Sequence, residues 1–443
     1  MDQVIERILQ VIEEHREEII AFGRDIYNHA ELGYKEARTS AAFVEKMKAL
    51  GLPLRTDLAI TGAKAYLNEE KAGNVSLALM GELDALRIPA QAHANPETGA
   101  AHCCGHHAQM AGLVGAAIAL ADEQVAKALD GQVIFFAVPA EEYGEVEFKK
   151  QLMQQGRITY GGGKCELIHI GAFDDVDLAV AHHLGRLEGV LLGSGSGNGF
   201  VSKVITVQGR AAHAAGAPDK GVNALSAASL GLQALGLNRE TFRDEDCVRV
   251  HPILTRGGDL VNVVPETAVV ETLVRGKTLA AIEDAEKKTD RSFRAGALAL
   301  GAGITIETMP GYLPSLPQET PEPIAQAMAE ALGTERVRKV DTSMHNGGST
   351  DVGDVQHLMP VYTFNTGGVT GDLHTSAFDI VDEENAYLDA ARGFAIHAYE
   401  LLKDGAALAK VEKAAYQPRF ADKAEYSAYL ERFRGVHTEP LAE

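Results

Sequence analysis

Hydrophobic residues recur at helical spacing near the start of the chain: Val4, Ile5, Ile8, Val11, Ile12 and Ile19. That period predicts helices over residues 1–50. The pattern then changes. Residues 74–83 carry the apolar run Val75-Ser76-Leu77-Ala78-Leu79-Met80 and read as a strand ending near Asp84. After a loop with Pro89, Pro96 and Gly99, residues 106–129 are rich in Ala, Leu and Gly and read as one buried helix. Gly131 and Pro139 bracket the β-branched and aromatic run Val133-Ile134-Phe135-Phe136-Ala137-Val138, which predicts a buried strand. Residues 177–184 predict another, with His182 and His183 at its end. This alternation implies an α/β layer with a mixed, largely parallel sheet. Such sheets bind ligands at the carboxyl ends of their strands. Asp84, Glu141, Glu142 and His183 all fall at such ends.

The run Gly193-Ser194-Gly195-Ser196-Gly197-Asn198-Gly199 is the clearest hinge. Beyond it the expected order is strand 200–208, helix 223–237, strands 248–255 and 267–275, helix 279–300 and strand 304–308. That is β-α-β-β-α-β, a ferredoxin-like unit complete in itself. Pro310-Gly311 and Pro314 mark a return, and helix and strand alternate again from Pro323 to about Lys403. A smaller domain over 197–311 is therefore expected to interrupt a larger one formed by 1–196 and 312–443, with a charged tail from about 405.

Bulk properties narrow the partners. The net charge of −21 argues against nucleic acid and against an anionic membrane surface. No apolar run reaches the length of a membrane span. The acidic, amphipathic start does not resemble a secretory leader, so a cytoplasmic location is expected. Cys103, Cys104, Cys165 and Cys247 form no C-x-x-C pair, and a disulfide framework is not expected.

The chemistry concentrates in Glu141 and Glu142, two adjacent carboxylates delivered by a buried strand. Two like charges in one dry site cannot both stay ionised unaided. A shared proton or a cation is required. His102-Cys103-Cys104-Gly105-His106-His107 could supply a thiolate and an imidazole to one metal, or be a polar helix start with incidental cysteines. His183 could be an ordinary hydrogen-bonded strand residue, and His374 a solvated loop residue. Taken together, one Cys, three His and one Glu make five ligands, with a second Glu left over as a base. That is the inventory of a two-metal hydrolytic site.

The ordered motifs resemble those of the two-metal amidohydrolase and aminoacylase superfamily, a metallopeptidase group, in its amino-acid-conjugate hydrolase branch (hippurate, indole-acetyl-amino-acid and p-aminobenzoyl-glutamate hydrolases). The motifs are Arg24 to Glu36, Gly81-Glu82-Leu83-Asp84-Ala85-Leu86, Cys104-Gly105-His106, Pro139-Ala140-Glu141-Glu142 and Leu373-His374-Thr375-Ser376. The resemblance implies that Cys104, His106, Glu142, His183 and His374 bind two divalent ions, zinc or manganese, with cobalt or nickel as alternatives. Cys104 would bridge. It implies that Glu141 is the general base and that His213 polarises the substrate carbonyl, reaching a partner's site in dimeric relatives. Asp84 would orient a ligand. Asn262 and Arg275 would hold the substrate, with Ser349 and Thr350 in a binding loop of the larger domain.

This chain departs from the family at His107 (usually Asp), Gln109 (usually His), Glu82 (usually Asp) and Ala30 (usually Pro). His107 could adjust the ligand set or bind metal itself. Arg275 could equally serve a surface ion pair. The expected function is metal-dependent hydrolysis of an amide in a small N-acyl or N-aroyl amino acid conjugate, by a homodimer joined through the smaller, lid-like domain. Dipeptidase or N-deacetylase activity on the same site is the alternative. A catalytically impaired binding protein of the same fold is the rival from outside enzymology.

Overall fold

A computed structural model describes residues 1–442 and divides them into two compact units. The first comprises Met1–Gly195, Leu316–His345 and Asp354–Lys423, and the second Ser196–Ser315, Asn346–Gly353 and residues 424–442. No helix among the described residues is long and apolar enough to cross a membrane.

The first unit is built on an eight-stranded sheet in the order Leu54–Leu58, Gly62–Leu67, Gln132–Val138, Ser76–Glu82, Leu178–Leu184, Val361–Thr366, Val190–Leu192 and Val337–Lys339. Gln132–Val138, Ser76–Glu82, Leu178–Leu184 and Val361–Thr366 run parallel to one another, whereas the edges include antiparallel pairs. The mixed, mostly parallel sheet expected from the sequence is present. Gln132–Val138 and Ser76–Glu82 are buried along their whole length, which is why they read as continuous apolar runs rather than alternating ones.

Behind the sheet lies the helix His106–Leu120, every residue of which is buried. Its small residues allow a close neighbour. A Cβ on Gly112 would come 2.7 Å from Ala390 Cβ, and one on Gly115 would come 2.7 Å from Ala391 Cβ. Both alanines belong to the helix Asp389–Leu402. The expected single helix over 106–129 instead stops at Leu120. Asp122 accepts hydrogen bonds from the Gln124 and Val125 amides and starts a separate helix, Glu123–Lys127. An N-cap aspartate competes with helix continuation because it satisfies the amides of a new first turn.

The second unit contains an antiparallel sheet in the order Arg249–Val250, Thr267–Gly276, Gly199–Gln208, Gly303–Pro310 and Gly435–Glu439, with Ile253–Arg256 also paired to Thr267–Gly276. The helices Ala224–Asn238 and Leu279–Ala299 pack on it. Three features differ from expectation. His251 and Pro252 split the anticipated strand over 248–255 into two short pieces, because proline cannot donate to a ladder. Gly435–Glu439 adds a strand to the edge of Gly303–Pro310, so the end of the tail belongs to this unit rather than to the larger domain. Residues 346–353 also belong here.

Candidate active site

The loop before the buried helix turns at Gly105. Its φ is +97°, and a Cβ there would lie 2.8 Å from Leu184 Cβ. Only glycine tolerates both conditions. This turn sets Cys104 on one side and His106 at the first helical position on the other.

Asp84 then fixes the surrounding pieces. It is fully buried beyond the end of Ser76–Glu82. Its Oδ1 accepts the Glu141 amide at 3.1 Å and its Oδ2 accepts the Glu142 amide at 2.9 Å. Its backbone carbonyl accepts His106 Nδ1 at 2.8 Å. One residue thus orients both glutamates and a histidine, and the carbonyl takes the Nδ1 proton of His106, so that Nε2 is the atom left to the site.

Glu36 supports the same turn. Ala140 is left-handed, with φ +49°, a strained conformation for a residue with a Cβ. Its amide donates to Glu36 Oε1 at 2.8 Å, while the Thr61 hydroxyl donates to Glu36 Oε2 at 2.6 Å. Burial, followed by the charge of Asp84, raises the Glu36 carboxyl to about 7. The folded state therefore keeps a proton that the unfolded chain releases at about 4.3. Stability should fall as pH rises from about 4.3 to 7, and level off above that. Glu36→Gln should remove this dependence, so that its stability relative to wild type improves by about 4 kcal/mol across the window. Urea unfolding at a series of pH values checks this, and equal slopes in the two proteins would refute it.

Two sets of donor atoms share Cys104: Cys104, His106 and His183 in one, and Cys104, Glu142 and His374 in the other, each within 4.8 Å. Cys104 Sγ lies 3.2 Å from His183 Nε2 and 3.3 Å from His374 Nε2. His183 Nδ1 donates to the Leu184 carbonyl at 2.7 Å, which aims a lone pair at the thiol. His374 Nε2 is 3.3 Å from Glu142 Oε1. His106 Nε2 and Glu142 Oε1 are buried and make no hydrogen bond of acceptable geometry. Orphaned atoms of this kind at a convergence of N, S and O donors fit a bound cation. Burial and the charge of Glu142 hold the Cys104 thiol well above its normal pKa. Burial and His106 lower His183, so its imidazole is neutral, as a ligand must be.

The five residues expected as ligands are brought together, with Glu141 beside them and Asp84 beneath. His182 lies outside both groups. It is buried, bonds Thr366 Oγ1 at 2.8 Å, and is pushed down to about 3 by burial and His183. His107 also joins no group of donor atoms among the described residues. It packs against Tyr27 at 4.6 Å and His102 at 5.4 Å between ring centroids. Burial, then His102, drives its pKa well down.

His213, Asn262, Arg275, Ser349 and Thr350 lie in the second unit. The expectation that residues 347–351 form a loop of the larger domain is corrected. Asn198 donates from its backbone to the Gly348 carbonyl at 2.9 Å, and Arg275 Nη1 donates to Ser349 Oγ at 2.9 Å, holding the loop in the second unit. Arg275 also lies over the Phe200 ring. Thr350 Oγ1 accepts the Val352 amide. Asn262 is exposed, and its carbonyl accepts the Ala214 amide. His213 is exposed and its Nδ1 accepts the Gly216 amide at 2.9 Å. The Nε2 of a neutral His213 is therefore a donor.

Sequence reasoning missed the surroundings of Glu82. Its Oε1 accepts from Lys164 at 2.6 Å and its Oε2 from Gln109 at 2.7 Å. Lys164 is fully buried. A buried lysine was the missing partner, and nothing in its sequence setting distinguishes it from a surface one.

Residues 78–396 match the model of peptidase family M20/M25/M40. The chain belongs to this family. It is a hydrolase acting on amide or peptide bonds. It is 28% identical to a Xaa-Arg dipeptidase of Mus musculus over 412 residues, covering 89% of this chain and 85% of that one. It is 28% identical to an IAA-amino acid hydrolase of Arabidopsis thaliana over 308 residues, covering 68% and 66%. Among solved structures it resembles a dinuclear metal-binding peptidase from the M20 family of Bacillus subtilis, with a TM-score of 0.62, 22% identity, and coverage of 88% and 99%.

Proposed function

We propose that this M20-family hydrolase cleaves the amide bond of a small N-acyl or N-aroyl amino acid conjugate, with two divalent cations at the paired donor groups. The observation that carries the reading is that two groups of donor atoms share the Cys104 thiol. Cations held by Cys104, His106 and His183 and by Cys104, Glu142 and His374 would polarise the attacking water and the scissile carbonyl. Glu141 takes the proton of that water and returns it to the leaving amine. Asp84 holds the Glu141 amide and so fixes the position of that carboxylate's backbone. His213 donates from Nε2 to the carbonyl oxygen as negative charge develops there. Arg275, Asn262, Ser349 and Thr350 bind the substrate, and Arg275 suits a carboxylate.

A homodimer would supply His213 in trans through the second unit. Supporting this, all of Ile253–Arg256 is exposed at a sheet edge. Ile253, Leu254, Leu260 and Val261 are exposed apolar residues in the same segment. Exposed edges with apolar residues call for a partner. Hydrolysis of dipeptides is the second reading, favoured by the extent of the match to the Xaa-Arg dipeptidase.

A panel of benzoyl-, p-aminobenzoyl- and indole-acetyl-amino acids and arginine-ended dipeptides, with and without chelator, tests this. Chelator-sensitive turnover of the conjugates is expected. Turnover of dipeptides alone would install the second reading. Turnover indifferent to chelator, with no metal by elemental analysis, would overturn the metal mechanism.

A further inference from the structure

We infer that Glu82 is an additional ligand of the cation held by His106, peculiar to a site in which Glu82, Gln109 and Lys164 occur together. The inference rests on the metal-centre reading above. Glu82, His106 and Glu141 form a third set of donor atoms within 4.8 Å of one another, all buried. The Glu82 Oε2 atom lies 3.0 Å from His106 Nε2, and Glu141 Oε2 is 3.9 Å from the same nitrogen.

The short approach needs a cause. His106 Nδ1 is committed to the Asp84 carbonyl, so Nε2 is the atom left to the site. Nε2 lies 3.0 Å from Glu82 Oε2, yet it is buried and makes no hydrogen bond of acceptable geometry. A cation touching both atoms satisfies the pair without that directional demand. Because His106 has only this one nitrogen to offer, the cation is the one shared with Cys104 and His183, not a third ion.

The rest of the environment prepares Glu82 for the role. Gln109 Oε1 accepts the Glu82 amide at 3.0 Å while Gln109 Nε2 donates to Oε2, so both ends of the residue are fixed. Lys164 neutralises the other oxygen. A ligand that arrives aligned and half-neutralised adds affinity without adding net charge to the centre. The glutamate side chain reaches the histidine while the glutamine steadies it.

The test is equilibrium binding of zinc and manganese against a chromophoric chelator, with stoichiometry by elemental analysis, for wild type, Glu82→Gln and the double variant Glu82→Gln/Lys164→Met. The double variant removes the buried ion pair as a unit, so it avoids stranding a buried ammonium. Both variants should keep one tight equivalent and bind the other roughly 100-fold more weakly. In cobalt-loaded protein, the visible spectrum of one of the two ions should change. If the double variant binds two equivalents as wild type does, Glu82 acts only by satisfying Lys164 and the inference falls alone. If wild type binds no metal, the inference and the metal-centre reading fall together.

Discussion

Glu141→Gln should lower kcat by roughly 10³-fold, with metal stoichiometry and substrate binding retained. The side chain keeps its shape, so the strand end and the Asp84 contact to the Glu141 amide stay in place. What is lost is a carboxylate able to accept a proton from water and release it to an amine. Glu141 is buried, with 7% of its surface exposed, so bulk buffer cannot readily replace it. Steady-state kinetics with isothermal titration of a conjugate measures both halves of the expectation. Wild-type turnover in the variant would remove Glu141 from the mechanism. A parallel fall in metal content would recast it as a ligand.

His213→Ala should lower kcat by roughly 10²-fold to 10³-fold, because it deletes a donor aimed at developing charge. The local structure makes this a clean deletion. Ring Nδ1 is occupied by the amides of Ala215 and Gly216, and the backbone around it pairs with Val263. Neither contact positions a cation donor. Trans action gives a sharper result. Mixing inactive Glu141→Gln with inactive His213→Ala, under conditions that exchange subunits, should restore about a quarter of wild-type activity. Half the dimers would be hybrids, each with one complete site. No recovery from mixtures shown to contain hybrids would confine His213 to its own chain, and a single-protomer mass in solution would do the same.

Much of this candidate site is legible in the sequence because its parts sit where sequence patterns end. Glu141 and Glu142 follow a run bracketed by Gly131 and Pro139, and the strand Gln132–Val138 stops where that bracket closes. Cys104 and His106 flank a glycine that the turn demands. The structure puts His183, not its neighbour His182, beside Cys104. Other features left no such mark. The Glu82–Lys164 pair joins residues 82 positions apart, and local patterns carry no information about so distant a partner. Gly435–Glu439 is five residues long and almost wholly exposed, so it lacks the apolar alternation that betrays a half-buried strand. Residues 346–353 are placed by contacts to Asn198 and Arg275, far away in the chain.

That late strand has a consequence for how the molecule is made. Gly303–Pro310 finds its edge partner only at Gly435–Glu439, some 125 residues downstream by subtraction of Pro310 from Gly435. At 5–20 residues per second, a ribosome needs roughly 6–25 s to cover that stretch. For all that time the second unit has a core but an open edge on the nascent chain. A chaperone that shields strand edges would find its client in that interval. A premature stop anywhere between Arg419 and Gly435 would release a chain that still carries Cys104, His106, Glu142, His183 and His374 but leaves this sheet edge permanently bare.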